Sequence, residues 1–275
     1  MDHPLDGRVD VFFVGPGKCG TSWLFEACRA HPDLDVGRIK EPGAFLQESA
    51  DIAAYERLWE GPGLRCDFSN TYFFSETAAD GIRRYNPAAR ICITVREPLS
   101  RLVSQYMFMR RNGRFDGPID EAIVAHPEIL DRCRYARHGE RWLARFPGAQ
   151  VLVLRLESLR IDPERYRKSL FAFLGVPDHA AFVPATQAQA AALPRSRRLA
   201  RGTKELADLA RSAQLFRLLD WAKRSGIARL LYRPLPGSYQ REHLDAIPAG
   251  VRAELEEQYG SFVAMASRLP GLQII

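Results

Sequence analysis

The chain has 275 residues, and 46% of them are hydrophobic, so it can bury a sizeable core. Lysine and arginine number 39 against 33 aspartate and glutamate residues, and this moderate excess suits an anionic ligand without indicating nucleic acid. The five cysteines form no C-x-x-C pair, which favours reduced thiols over a disulfide framework or a zinc site. The first residues lack a signal-peptide pattern, and no apolar run approaches the roughly 20 residues of a membrane span. We therefore expect a soluble, cytoplasmic protein.

Strand and helix patterns alternate along the chain as far as residue 174. A β-branched and aromatic run at 9–14 predicts a buried strand, a glycine-rich turn follows at 15–21, and a helix is predicted at 22–30. Further strands are predicted at 34–36, 64–68, 90–95 and 150–154, and further helices at 51–58, 75–85, 98–112, 135–146 and 163–174. The alternation predicts an α/β fold with a central parallel sheet of about five strands flanked by helices. Beyond residue 180 we predict helices and loops without a strand, and we expect residues 1–275 to form a single domain.

The glycine-rich turn, GPGKCGTSW at 15–23, is suited to binding an anion. It opens a helix, where backbone N–H groups and the helix dipole favour negative charge. Lys18 adds a positive charge, and Thr21 and Ser22 add hydroxyl donors. The turn differs from the nucleoside-triphosphate motif G-x-x-x-x-G-K-[ST], because no lysine precedes Thr21. The alternative is a tight turn with an incidental lysine.

A second candidate anion site follows the strand at 90–95, which ends in Arg96. Pro98 fits the first turn of the next helix, and Ser104 lies two turns into it. Arginine suits a phosphate because its planar guanidinium can engage two oxygens at once. The alternative is a surface arginine that pairs with Glu97.

The segments 15–23 and 96–106, in this order, resemble the two nucleotide-binding motifs of sulfotransferases that use PAPS (3′-phosphoadenosine 5′-phosphosulfate). The likeness is closest to the branch of heparan sulfate sulfotransferases and their bacterial relatives, in which a Lys-Glu pair follows the first motif, as Lys40-Glu41 does here. The resemblance covers about 9–175 and implies a P-loop-like sheet, PAPS as co-substrate and no required metal.

The same resemblance implies a set of nucleotide-binding residues. Arg96 and Ser104 would bind the 3′-phosphate, and Tyr135 is a candidate contact to the nucleotide. Arg201 and Gly202 are candidates for a late loop that closes over the 3′-phosphate, although the alternative of a solvated basic helix face is equally good. The 5′-phosphosulfate would be bound by Gly15, Gly17, Lys18, Cys19, Gly20, Thr21, Ser22 and Trp23.

Glu41 is the candidate general base, because it follows the second strand at the sheet edge where α/β proteins bind ligands. In the resembling enzymes the matching glutamate is the proposed base and the matching lysine, here Lys40, lies by the sulfate. We expect Lys40 to help keep Glu41 ionised. Asp67 is the second candidate base, and Tyr72 and Phe73 beside it are predicted to line the acceptor cleft. The alternative is that Lys40 and Glu41 are ordinary surface charges.

These patterns predict an enzyme that transfers a sulfuryl group from PAPS to a hydroxyl or amine of a carbohydrate or small-molecule acceptor, with Lys18, Lys40 and Glu41 as catalytic residues. Neither a nucleic-acid partner nor a membrane span is expected. Two alternatives stay open at this point. One is a metal-dependent P-loop kinase, and the other is a non-catalytic module that binds polyanions.

Overall fold

The computed structural model describes residues 7–179, 192–194, 232–234 and 238–275. A six-stranded parallel sheet lies at the centre of the described fold, with the strand order β2-β3-β1-β4-β5-β8. Two further strands, β6 and β7, pair antiparallel with each other. The strands are β1 Val11–Gly15, β2 Leu34–Asp35, β3 Leu64–Phe68, β4 Arg90–Val95, β5 Val151–Arg155, β6 Ala192–Pro194, β7 Tyr232–Pro234 and β8 Gln273–Ile274.

Helices connect the strands of the sheet and cover both of its faces. The described α-helices are α1 Thr21–Arg29, α2 Ile52–Glu56, α3 Ala78–Tyr85, α4 Pro98–Arg111, α5 Ile119–Ala125, α6 Pro127–Asp131, α7 Tyr135–Arg145, α8 Leu156–Ile161, α9 Pro163–Leu174, α10 Ser238–Asp245 and α11 Ala249–Ser267. Local sequence explains α9 well. Asp162 accepts a hydrogen bond from the Arg165 N–H at 2.9 Å, Pro163 occupies the first turn, and Gly175 ends the helix at a φ of 69°.

Alternate side chains of the central strands pack on opposite faces of the sheet. On one face, Phe12 and Ile93 belong to a core with α3 and α7. On the other face, Phe13 and Cys92 belong to a core with α1 and α9. Because β1 and β4 are covered on both sides, their residues are mostly apolar and do not alternate with polar ones, as expected for parallel strands.

The described residues cluster into two compact units. The first contains the sheet and the described parts of residues 1–98, 132–186 and 254–275. The second contains the described parts of residues 99–131 and 187–253, and within it Tyr106 donates a hydrogen bond to the Gly117 carbonyl at 2.8 Å. The expectation of a single domain stays a prediction.

The structure confirms the predicted α/β class and corrects its details. The predicted strands at 64–68 and 90–95 and the predicted helix at 163–174 have the observed bounds. The prediction of no strand after residue 180 is wrong, because β6, β7 and β8 lie there. Each has two or three residues, too few for an alternating pattern to be recognised.

Two further expectations concern the described residues directly. All five cysteines are buried, and none of them is paired in a disulfide. Within the described ranges, no helix is both long enough and apolar enough to cross a membrane.

Candidate active site

The glycine loop joins the end of β1 to the start of α1. Gly20 caps α1 in the left-handed conformation, at a φ of 88°, and no side chain bonds to the cap. The first turn of α1 contains no acidic residue, so nothing there opposes a bound anion. The amides and the dipole of this helix end therefore favour a negatively charged ligand.

Close packing fixes the loop at both ends. Gly15 has a φ of 97°, and a Cβ placed on it would lie 2.5 Å from the carbonyl oxygen of Asn70. A Cβ on Gly20 would lie 2.9 Å from a methyl group of Leu156. A Cβ on Gly17 would meet nothing within 4 Å, so this part of the loop borders open space. The loop is thus rigidly seated where it meets the sheet and open in its middle.

Lys18 and Glu41 share an unusual backbone conformation. They are the described non-glycine residues with positive φ, at 73° and 65°. Such residues cost about 1–3 kcal/mol each and tend to occur at functional sites. Two of the three predicted catalytic residues therefore have strained backbones.

Arg96 lies directly after β4 and is 6% exposed. Its Nη1 donates to the Lys18 carbonyl at 3.4 Å, while its buried Nε has no hydrogen-bond partner among the described residues. Burial and, next, the neighbouring Arg160 lower the pKa of Arg96, although an arginine remains protonated. A buried guanidinium with a spare donor beside the loop is suited to an anionic ligand.

Asn70 holds the carboxylate of Glu41 at both oxygens. The Asn70 N–H donates to Glu41 Oε2 at 2.7 Å, and the Asn70 side-chain amide donates to Oε1. Glu41 is an exposed residue, but desolvation of its carboxylate raises the pKa of Glu41, and the hydrogen bonds from Asn70 and the charge of Lys40 offset this only in part. Lys40 contributes in the expected direction, but its effect is smaller than desolvation. Burial also lowers the pKa of Lys40, whose Nζ lies 5.0 Å from the centre of the Phe25 ring.

Asp67 is the centre of a buried hydrogen-bond network. It is 1% exposed and accepts from the hydroxyls of Ser69 at 2.6 Å, Tyr55 at 2.7 Å and Tyr72 at 3.1 Å. Burial raises its pKa to about 6, and the three hydrogen bonds oppose this rise. Ser69 in turn accepts from the Gly43 N–H at 3.2 Å. The network therefore supports the segment that follows Glu41.

This burial bears on the predicted acceptor site, which stays a prediction. Tyr72 and Phe73 are 0% exposed, and Asp67 is nearly so. They form core packing and the network just described, so the structure gives no support to their contact with an acceptor. The structure also gives no support to Asp67 as the second candidate base, because both of its oxygens already accept hydrogen bonds from hydroxyl groups.

The other predicted nucleotide contacts fall into four groups. Tyr135 and Cys19 are both 0% exposed, with the Tyr135 hydroxyl 3.8 Å from the Cys19 sulfur, so Tyr135 packs behind the loop. The Thr21 side chain is also buried, whereas Ser22 is exposed. Ser104 lies on α4 in the second unit. Arg201 and Gly202 lie outside the described residues.

Sequence reasoning did not single out Asn70 as a partner of Glu41. A signal was present, because Asn70 is a polar residue just past β3, and β3 neighbours β2, whose end precedes Glu41. The carboxyl ends of neighbouring parallel strands meet at one edge of the sheet. That rule places the two residues near each other, although it does not specify the bidentate contact.

Comparison with known proteins identifies the family. A model of the sulfotransferase domain matches residues 8–187, which is more than half of the chain. The chain belongs to the sulfotransferase domain family. This membership confirms the predicted enzyme class, and it favours a sulfotransferase over a kinase or a non-catalytic polyanion-binding module.

Curated relatives and a solved structure agree with this membership. The sulfotransferase is 28% identical over 207 residues to the mouse bifunctional heparan sulfate N-deacetylase/N-sulfotransferase 1, covering 64% of this chain and 23% of that protein. It is 29% identical over 192 residues to the mouse heparan sulfate glucosamine 3-O-sulfotransferase 3A1, covering 64% and 48%. The match thus spans less than half the length of these relatives. The crystal structure of a sulfotransferase from Alicyclobacillus acidocaldarius has a TM-score of 0.58 and 29% identity, covering 66% of this chain and 85% of that one.

Proposed function

We propose that this sulfotransferase transfers a sulfuryl group from PAPS to a hydroxyl or amine of a carbohydrate or small-molecule acceptor, with Glu41 as the general base. The observation that carries the proposal is that Lys18 and Glu41 both have a strained backbone and are linked through neighbouring residues. Both have positive φ. The two are also linked, because the Asn70 that holds Glu41 packs its backbone against Gly15, at the start of the loop that contains Lys18.

The glycine loop and Arg96 fit the anionic ends of PAPS. The loop offers the N-terminus of α1, whose cap residue Gly20 makes no side-chain hydrogen bond, and open space at Gly17. Arg96 offers a buried Nε that has no partner within the described part of the chain. In this proposal the loop holds the 5′-phosphosulfate, and Arg96 binds the 3′-phosphate. When bound, PAPS supplies the sulfuryl group, which the acceptor oxygen or nitrogen attacks as the bond from sulfur to the 5′-phosphate oxygen breaks.

Lys18 stabilises the charge that develops on the departing phosphate oxygen. A fixed positive charge aimed at a developing negative charge lowers the barrier without reorganising at the moment of reaction. The loop packs tightly at Gly15 and Gly20, so the backbone that carries Lys18 is held in place.

Glu41 accepts the proton that the acceptor loses. Its raised pKa makes the carboxylate a stronger base than a fully solvated glutamate, provided that it is ionised. Lys40 favours the ionised form and adds a positive charge near the transferred group. The names of the heparan sulfate relatives favour a carbohydrate acceptor over other classes.

Two measurements test the proposal. The first is transfer from radiolabelled PAPS to a panel containing de-N-sulfated heparan sulfate, an alkyl glucoside and a naphthol. We expect one class of acceptor to be labelled. If the protein is folded and no acceptor in the panel is labelled, the proposal is contradicted.

The second measurement is a thermal shift with PAP, the desulfated product. PAP should raise the melting temperature without magnesium. A larger shift with ATP and magnesium would instead favour a kinase.

A further inference from the structure

Asn70 presents two donors to one carboxylate. Its backbone N–H and its side-chain amide bond to the two different oxygens of Glu41. A carboxylate held at both oxygens by one residue cannot rotate freely about its terminal bond. The Glu41 backbone is fixed as well, because its N–H donates to the Phe68 carbonyl at 3.0 Å.

Asn70 is itself held in place by its neighbours. Its backbone abuts Gly15, with no room for a side chain between them. Ser69, the preceding residue, bonds to Asp67 and to the Gly43 N–H. The amide orientation is also determined, since the side chain must turn its NH₂ group toward Glu41 and its oxygen away from it. Asn70 is therefore fixed at the end of β3, and through its hydrogen bonds it fixes the Glu41 carboxylate.

We infer that Asn70 is a positioning residue whose two hydrogen bonds hold the Glu41 carboxylate in the orientation that removes a proton from the acceptor. The catalytic part of this inference rests on the proposed function, in which Glu41 is the base. The contact between Asn70 and Glu41 does not depend on it.

The contact between Asn70 and Glu41 also acts on the charge of the carboxylate. Both hydrogen bonds stabilise the ionised carboxylate and lower the pKa of Glu41 against the effect of burial. The charged group that acts on Glu41 is Lys40, beside it in the chain, and Glu41 in turn raises the pKa of Asp67 on β3. Lys40 also faces Glu26 on α1. Removing the Asn70 amide leaves these groups unchanged, so the effect on Glu41 can be measured by itself.

The Asn70→Ala variant separates the side-chain bond from the backbone bond, since alanine keeps its N–H. The pKa of Glu41 is measured by carbon NMR of labelled glutamate carboxyls, with Glu41→Gln identifying the resonance. We expect the pKa of Glu41 to rise in Asn70→Ala, and to rise further in Asn70→Asp, which has the same shape but adds a negative charge. The exposed neighbour Thr71 provides the control, and Thr71→Ala should leave this pKa unchanged.

Kinetics then test the catalytic part, with labelled PAPS and the panel acceptor that is turned over fastest. Asn70→Ala should lower kcat/KM about tenfold and move its acidic limb to higher pH, while PAP affinity stays within about twofold. In a Glu41→Gln background the same substitution should have no further effect on turnover. An unchanged pKa of Glu41 in folded Asn70→Ala, or an equal loss of turnover in the Glu41→Gln background, overturns the inference. Near-normal turnover of Glu41→Gln overturns the base assignment, and a raised Glu41 pKa in Asn70→Ala still supports the contact.

Discussion

Gly15 and Asn70 approach each other so closely that no side chain fits at residue 15. A Cβ on Gly15 would lie 2.5 Å from the Asn70 carbonyl oxygen and 2.8 Å from its Cα. This contact joins the end of β1 to the end of β3, and it brings together the loop that contains Lys18 and the residue that holds Glu41.

The first prediction follows from that contact. Gly15→Ala should destabilise the fold by about 2–4 kcal/mol, because it adds a backbone clash to a conformation that L side chains rarely adopt. Urea unfolding without nucleotide measures the effect. Gly17→Ala is the matched control, since its Cβ meets nothing within 4 Å, and it should cost less than about 1 kcal/mol. Equal stability of the two variants would show that the loop can move away from β3.

The second prediction concerns Lys18. Lys18→Ala should lower kcat by roughly 10²–10³, because the enzyme loses a charge aimed at the departing phosphate. Alanine has the same positive-φ cost as lysine, so the backbone strain is largely unchanged. Lys168→Ala removes an exposed lysine that pairs with Glu164 on α9, and it should retain wild-type turnover. Near-normal turnover of Lys18→Ala would rule out the proposed role.

The third prediction concerns the 3′-phosphate. Arg96→Met preserves much of the buried side-chain volume and removes the charge, so it should weaken PAP binding about tenfold or more. Isothermal calorimetry measures the change. Arg145→Met, which removes an exposed arginine paired with Asp80, is the control and should bind PAP normally. If a folded Arg96→Met variant keeps its affinity, the 3′-phosphate lies elsewhere.

The fold could be predicted where sequence signals are local. The strands 64–68 and 90–95 are bounded apolar runs, and the helix 163–174 has its cap, proline and terminal glycine in sequence. By contrast, β8 contains only Gln273 and Ile274, and it exists because it pairs with β5. No local pattern specifies a two-residue strand, since its hydrogen bonds are made to a segment more than 100 residues earlier.

The candidate site shows the same division. Lys18, Glu41 and Arg96 could be named from short motifs at predicted strand ends. The hydrogen bonds from Asn70 to Glu41 join residues 29 positions apart in the chain. The tyrosine hydroxyls that donate to Asp67 come from a helix before it and a turn after it. A polar residue after a strand can point into a cleft or into the core. Asp67, Tyr72 and Phe73 point into the core, which depends on packing that the motif does not encode.

The fourth prediction concerns pH and Asp67. Its pKa is raised to about 6 from an ordinary 3.8, so the folded protein binds a proton here more tightly than the unfolded chain does. The resulting stabilisation is present below about pH 4 and is lost as the pH rises through about 6. The Asp67→Asn variant cannot titrate at this position. The difference in unfolding free energy between the variant and wild type should therefore shift in favour of the variant by about 1–3 kcal/mol from pH 4.5 to pH 7.5. Urea unfolding at the two pH values checks this, and parallel pH profiles would contradict it.

The last prediction concerns Glu41 as the base. Glu41→Gln keeps the size of the side chain and removes its basicity, so it should lower kcat by about 10²–10⁴. PAP affinity should stay close to that of wild type, because the nucleotide contacts proposed here lie on the glycine loop and Arg96. Steady-state kinetics with labelled PAPS and calorimetry with PAP measure the two quantities separately.

Asp67→Asn is the control for this prediction, because Asp67 is buried and hydrogen-bonded at both oxygens and should not act as the base. If Glu41→Gln is nearly fully active and a folded Asp67→Asn is inactive, Asp67 is the base and the buried network must open during turnover. If Glu41→Gln lowers only the affinity for PAP and leaves kcat unchanged, Glu41 supports the nucleotide loop through Asn70 and Gly15. If both variants are active, the acceptor carries an acidic hydroxyl, such as a phenol, whose proton needs little help to leave, and the reaction then proceeds without a carboxylate base.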